Sequence, residues 1–396
     1  MEKLSNQERL RPWMGIVLFA AVMAIFIFAF APLQQKLGIP GLLITEFGLL
    51  AIAVIYCLIR KVKIREVFPV KKVKVREVFG SLLLVLGAFP LSLVLVALTG
   101  TIFPWSTKEV GDLSSFLYES LNYPMAVLVV ALIPAICEEA IHRGAILSNF
   151  RSLKHDWLIV LIMGLFFGIN HMSVLRFLTT MFLGMILSYV VVKRNNIILS
   201  MLMHFTNNFI SVTLTYLLSD FANTSSASTI DYSSLIGGYL VFAFASPILI
   251  TLGMMLVNPE GHKKIRFLYA GILAAVMFIT GITLNVFTSS KSTKGSVTST
   301  VSLEITEEDK VFPTVGFDID KDCEPTIVLT LTNGEGDYKV RIDGNKGSNV
   351  IYAEFPKGTV RTLTYRVRLQ PDRYVVTMEC GDNAIGETPQ LQVSVQ

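Results

Sequence analysis

Apolar stretches of roughly 18 to 25 residues, broken by short polar segments, fill the first three-quarters of the 396-residue chain. Runs of that length are sufficient to cross the hydrocarbon core of a bilayer as helices. The pattern predicts nine spans, at about 13–35, 39–60, 79–101, 123–143, 157–172, 174–192, 196–218, 234–257 and 267–288. The first lacks the small-residue cleavage pattern of a secretory signal and is read as a retained span. Beyond residue 288 the period changes. A Ser/Thr/Lys/Gly stretch at 289–297 reads as a linker. Then come seven short runs rich in Val, Ile, Thr and Tyr: Val301–Ile305, Ile327–Leu331, Tyr338–Ile342, Val350–Phe355, Thr362–Leu369, Tyr374–Glu379 and Leu391–Val395. Turn pairs such as Asn333-Gly334 and Asp343-Gly344 separate them, which predicts a small antiparallel β-sandwich over 298–396, immunoglobulin-like in size. The fold class expected is thus an all-α polytopic membrane bundle, residues 1–288, followed by an all-β sandwich.

Composition agrees and narrows the functions. The chain is 52% hydrophobic and only 16% charged, against about 25% charged residues in average soluble chains. The net charge of +4 divides into +8 before residue 288 and −4 after it. The basic excess sits in short loops between apolar runs, so nucleic-acid binding is not indicated. On alternate sides of the spans the Lys and Arg residues number 19 and 3, the three being Lys36, Lys108 and Arg176. That asymmetry predicts a cytoplasmic N-terminus, and nine crossings then put the tail outside the cell membrane. The basic loop from Arg60 to Arg76 reads as the topological anchor, or as a site for anionic lipid. Two of the four cysteines, Cys323 and Cys380, lie in the tail, where an extracytoplasmic pair can become a disulfide or stay reduced. The tail has no His and no catalytic constellation. It reads as a binding or spacer module with a possible extracytoplasmic ligand.

Chemistry is expected where polar groups interrupt apolar runs, because a charge at mid-bilayer costs about 2.5 to 3.5 kcal/mol on insertion scales. Glu138 and Glu139 follow the run Ala131–Cys137. Glu139 and Arg143 stand at i and i+4, the favourable order for a same-face ion pair, whereas Glu138 points about 100° away. Glu138 is then free to act as a general base or acid. Phe167 and His171 repeat the i, i+4 spacing in the fifth span, and His204 and Asn208 repeat it in the seventh. The histidines are suited to moving protons or binding a metal, and Asn208 to orienting a ligand or donating to an oxyanion. Polar groups on three apolar helices can converge only inside the bundle. His142, Cys137 and the nearby methionines read as core.

The order Glu-Glu-x-x-x-Arg, Phe-x-x-x-His, His-x-x-x-Asn resembles the CPBP family of membrane proteases, which includes the type II CAAX prenyl endopeptidases, bacteriocin-processing and immunity proteins, and lysostaphin-resistance-like proteins. The resemblance covers about residues 120–215. It implies hydrolysis of a peptide bond in a membrane-associated peptide or protein substrate. Glu138 would activate water with His171 assisting, His204 and Asn208 would stabilise the oxyanion, Glu139 and Arg143 would hold the site, and Phe167 would line or back it. It also allows a single divalent metal such as zinc on Glu138, His171 and His204, although the HExxH signature of zinc proteases is absent. A metal-free mechanism stands beside it, as does exchange of the two glutamates. The alternative class is a non-proteolytic immunity, scaffold or transport protein on the same fold. His171, near the outer end of its predicted span, stands at a different depth from Glu138 and His204, a mismatch that a short or tilted fifth helix would remove.

Overall fold

A computed structural model describes residues 10–107, 120–224, 232–261, 264–292, 297–302, 305, 311–319, 322–345, 349–355 and 360–395. Lys3, Arg9, Lys108, His262 and residues 293–296 of the expected linker lie outside them. The described chain divides into a helical unit and a β unit.

Among the described residues, eight helices are long and apolar enough to cross a membrane. They are α1 Pro12–Leu37, α2 Ile39–Arg60, α3 Val75–Ile102, α4 Tyr123–Ile146, α6 Val174–Arg194, α7 Ile197–Leu217, α8 Leu235–Val257 and α9 Ile265–Val286. The remaining expected span is a shorter apolar helix, α5, Asp156–Asn170, of 15 residues. It pairs antiparallel with α6. Lys193 Nζ at the end of α6 lies 2.7 Å from Asp156 Oδ2 at the start of α5. Further along, glycines let the backbones close: a Cβ at Gly164 would stand 2.9 Å from the Met181 carbonyl, and one at Gly168 3.0 Å from the Phe177 carbonyl.

Polar contacts fix the two ends of the bundle. At one end Arg194 of α6 pairs with Glu77 of α3, Asn196 Nδ2 donates to the Lys71 carbonyl at 2.9 Å and the Ile197 N–H donates to the Pro69 carbonyl at 2.9 Å. At the other end the Tyr216 hydroxyl of α7 donates to the Leu121 carbonyl at 2.5 Å. The core between them includes stacked Phe19 and Phe166 on α1 and α5, centroids 4.0 Å apart.

Helix α4 is not a uniform α-helix. Residues Val127–Leu132 and Ala140–Ile146 are π-helical on either side of an α segment, Ile133–Glu139. Such widened turns recur at functional sites because they re-aim side chains. Glu138 and Glu139 end the α segment.

Among the described residues the tail forms two four-stranded antiparallel sheets, in the orders β1-β8-β3-β6 and β2-β7-β4-β5. The strands are β1 Val297–Ser302, β2 Val311–Ile319, β3 Thr326–Thr332, β4 Tyr338–Gly344, β5 Asn349–Glu354, β6 Val360–Arg366, β7 Asp372–Cys380 and β8 Gln390–Val395. Alternate residues of both sheets, among them Leu329, Leu331, Val340, Ile342 and Val376, share one buried core. β2 was absent from the hydrophobic pattern because Pro313 and Gly316 interrupt it; the register shifts between Pro313 and Val315 to take up the proline. The first expected strand begins earlier than Val301, and of its residues 303 and 304 lie outside the described ones. Cys323 is exposed, bridged to Leu369, and Cys380 is buried opposite Tyr338; both are free thiols.

One polar knot ties the sheets' loops. Buried Arg361 donates through Nη1 to the Gly336 carbonyl at 2.9 Å and through Nη2 to the Gly334 carbonyl at 2.5 Å. Glu387 accepts from the Tyr338 hydroxyl and from the N–H groups of Glu335 (2.9 Å) and Gly336 (3.1 Å). Burial opposes the Glu387 carboxylate, but the Tyr338 hydroxyl and the two N–H groups outweigh it and hold its pKa below the ordinary carboxylate range. A carboxyl depressed on folding adds stability above its unfolded pKa, about 4.3 for Glu. That stability is lost as pH falls through the lower folded value. Glu387→Gln in the full-length protein is therefore expected to flatten the acid-side loss of resistance of the tail to proteolysis. An unchanged pH dependence would remove Glu387 from this role.

Candidate active site

Phe167 is the centre around which the predicted residues gather. Its ring, fully buried on α5, meets the rings of His171 (4.8 Å between centroids), His142 (5.2 Å) and His204 (5.6 Å) edge-on. The guanidinium carbon of Arg143 lies 4.3 Å above its face. These groups surround the ring, which packs behind the polar residues and positions them.

Arg143 and Glu139 are both fully buried on α4 and joined at 2.8 Å, Nη1 to Oε1. The guanidinium also donates from Nε to Ser188 Oγ (3.3 Å) and from Nη2 to the Gly184 carbonyl (3.1 Å), both on α6. His204 Nδ1 on α7 lies 3.0 Å from the same Glu139 oxygen. One carboxylate thus links α4 and α7, and its arginine extends the link to α6. Isolated burial of either charge would cost several kcal/mol, so each requires the other.

Glu138 differs. It is only partly buried, its Oε2 is a buried atom with no hydrogen-bond partner, and no described side chain pairs with it. Its backbone carbonyl accepts from His142 Nδ1 at 2.9 Å, and the Phe167 carbonyl accepts from His171 Nδ1 at 2.8 Å. Carbonyls only accept, so both histidines carry the proton on Nδ1 when neutral, leaving an Nε2 lone pair.

Asn208 is placed by a helix irregularity. Pro134 has no N–H to give the carbonyl four residues back, that of Val130. Asn208 Nδ2 donates to that carbonyl at 3.1 Å, and Asn207 Nδ2 donates to Asn208 Oδ1 at 3.1 Å. The amide is held from both ends, with one N–H of its NH2 group to spare.

Two residues here were not legible as site members. Glu46, in the middle of α2, is buried with an unpartnered Oε2 and lies close enough to Glu138 for their charges to interact. Its sequence signal was a lone carboxylate inside an apolar run. His142, read as core, is indeed buried, but against the Phe167 ring and with Nε2 unpartnered. Helix α5 ends at Asn170, and His171 follows in contact with the Phe167 ring.

Among the described residues no three His, Cys, Asp or Glu side chains are arranged to hold a metal ion. His204 Nδ1 is bonded to Glu139 and His171 Nδ1 to a carbonyl, which leaves Nε2 of each ring as the nitrogen available to a ligand.

The close packing of α5 on α6 is part of the site. A Cβ at Gly184 would stand 2.7 Å from Phe167 Cβ and 3.2 Å from Gly164 Cα. Gly184→Val is therefore expected to cost about 1–3 kcal/mol in unfolding and to lower any activity of the site by displacing Phe167. Wild-type stability and activity together would contradict this packing.

No curated protein matches the chain. Among solved structures, the pre-peptidase C-terminal domain of collagenase from Bacillus anthracis is similar over 25% of this chain and 90% of that one, at 15% identity and a TM-score of 0.20. Residues 120–210 match the family model described as type II CAAX prenyl endopeptidase Rce1-like. That segment contains the constellation from Glu138 to Asn208, so the similarity to this endopeptidase family falls on the residues that form the site.

Proposed function

We propose that the protein is an intramembrane endopeptidase whose general base is Glu138. The observation that carries the reading is the unequal partnering of two adjacent acids. Glu139 is fully buried and held by Arg143 and His204, whereas Glu138 is partly exposed with no bonded partner. An acid already bonded to a guanidinium serves structure; an unbonded one beside water can take a proton.

In the proposed reaction Glu138 removes a proton from water, and the hydroxide attacks the carbonyl carbon of the scissile amide. The His171 Nε2 lone pair assists by accepting a hydrogen bond from that water. The tetrahedral oxyanion receives the spare N–H of Asn208 and, when His204 is an imidazolium with its Nδ1–H held by Glu139, the His204 Nε2–H. As the C–N bond breaks, the proton on Glu138 passes to the leaving amine. The products are a carboxylate and a free amino group. No step is routed through a metal.

The substrate is a peptide segment in or anchored to the bilayer. The charge asymmetry of the loops supports a cytoplasmic N-terminus, with the acids near the cytoplasmic half. Counting α5, which runs antiparallel to α6, with the eight longer helices makes nine passages, which on this reading puts the tail on the outer side. There the tail would meet an extracytoplasmic ligand or act as a spacer.

The test is cleavage of membrane-anchored peptides by the purified protein in lipid nanodiscs, with new termini read by mass spectrometry. Cleavage that depends on Glu138 is expected. Persistent absence of any product beyond that left by Glu138→Gln would favour the non-proteolytic class.

A further inference from the structure

At the basic end of the helical bundle a cavity of about 340 Å3 has Arg65, Glu66, Val70, Lys71, Arg151 and Asn195 on its lining. Its walls come from the segment after α2, the segment after α4 and the turn after α6, each where a membrane-spanning helix ends. The cradle is fixed. Backbone at Pro69 and Lys71 is tied to Ile197 and Asn196, and the ring of Phe68 fills the space that a Cβ at Gly144 would need, 2.3 Å away.

Among the described residues the charges in this cavity are unbalanced: Arg65, Lys71 and Arg151 face one carboxylate on the lining, Glu66, which already has Lys63 Nζ at 3.4 Å. Nε and Nη2 of Arg151 are buried atoms with no hydrogen-bond partner among the described residues. Burial pushes the Arg151 guanidinium below its ordinary pKa, with no described anion to offset it. Asn195 Oδ1, also buried and unbonded, is an acceptor beside these donors. Buried guanidinium N–H groups without an acceptor are costly, and a planar fork of such donors matches phosphate oxygens.

We propose that this cavity binds a phosphate group, carried by a lipid headgroup or free in solution. The Arg151 fork takes two phosphate oxygens, Arg65 and Lys71 supply the remaining charge, and Asn195 Oδ1 accepts from a hydroxyl of the ligand. The lipid source has the stronger support. The site lies where spans emerge, the level of phospholipid headgroups, and Val70 on its lining is 67% exposed beside Ile64 at 46%, apolar surface on which acyl chains can rest. This site is independent of the proposed hydrolysis, so its test needs no substrate.

The full-length protein in detergent is titrated with short-chain phosphatidylglycerol and, in parallel, with inorganic phosphate and short-chain phosphatidylcholine, reading the shift in unfolding temperature. Saturable stabilisation by phosphatidylglycerol, weaker with phosphatidylcholine and weak with phosphate, assigns a lipid headgroup. Equal saturation by phosphate alone assigns the free anion. Arg151→Gln is expected to weaken binding by about tenfold or more. Because that variant can lose stability on its own account, Lys71→Gln, at an exposed position, is measured beside it with a smaller loss expected. No saturable shift in the wild type, or the same affinity in both variants, overturns the proposal.

Discussion

Glu138→Gln is expected to lower cleavage of a membrane-anchored peptide by about two to four orders of magnitude, the range in which a positioned general base contributes. Glutamine has the size and hydrogen-bonding reach of the acid but cannot accept the proton from water. No described side chain bonds Glu138, so the fold has little to lose, and thermal unfolding should stay near that of the wild type. The combination of lost turnover with retained stability distinguishes a chemical role from a structural one. Turnover within about twofold of wild type, where an uninvolved residue would leave it, would transfer the proton-accepting role elsewhere, with Glu139, Glu46 and His171 as the neighbours to examine.

Arg143 predicts the opposite balance. Its guanidinium is fully buried, joined to Glu139, Ser188 and the Gly184 carbonyl, and stacked on Phe167. Arg143→Met would leave Glu139 as a buried charge without its guanidinium partner, His204 still beside it. A loss of about 3–5 kcal/mol is expected, the usual cost of removing one partner of such a pair. The double variant Glu139→Met with Arg143→Met removes both charges and should recover a good part of that stability while activity stays absent. The comparison is made by denaturant unfolding of the three proteins in one detergent. If the single variant unfolds like the wild type, the ion pair does not hold these helices together.

Much of this was legible in the residues because membrane burial makes polar groups conspicuous. The Glu139–Arg143 pair follows from i, i+4 spacing, and the convergence of Glu138, His171 and His204 on one region follows from their place in apolar runs. The rest depended on departures from regular geometry. The π-helical turns of α4 shift side-chain directions that a 100° wheel would assign. Pro134 is a single letter, yet the carbonyl it leaves open at Val130 decides where Asn208 rests. Glu46 sits in a different span from all three motifs, and no spacing rule links it to Glu138. In the tail, alternation gave the strands of the central core, but β2 carries a proline and a glycine and so lacked a readable period.

The brevity of α5 has a consequence for solvent. Fifteen residues at 1.5 Å each make a rod of roughly 22 Å, some 8 Å less than a typical hydrocarbon layer. On the proposed reading of α5 as a passage, lipid tails cannot satisfy the carbonyls left open where the rod stops short, so that margin is hydrated or the bilayer dimples to meet it. His171 stands at that stop. On the proposed chemistry, a truncated helix is how a hydrolase immersed in oil obtains the one reagent that oil excludes.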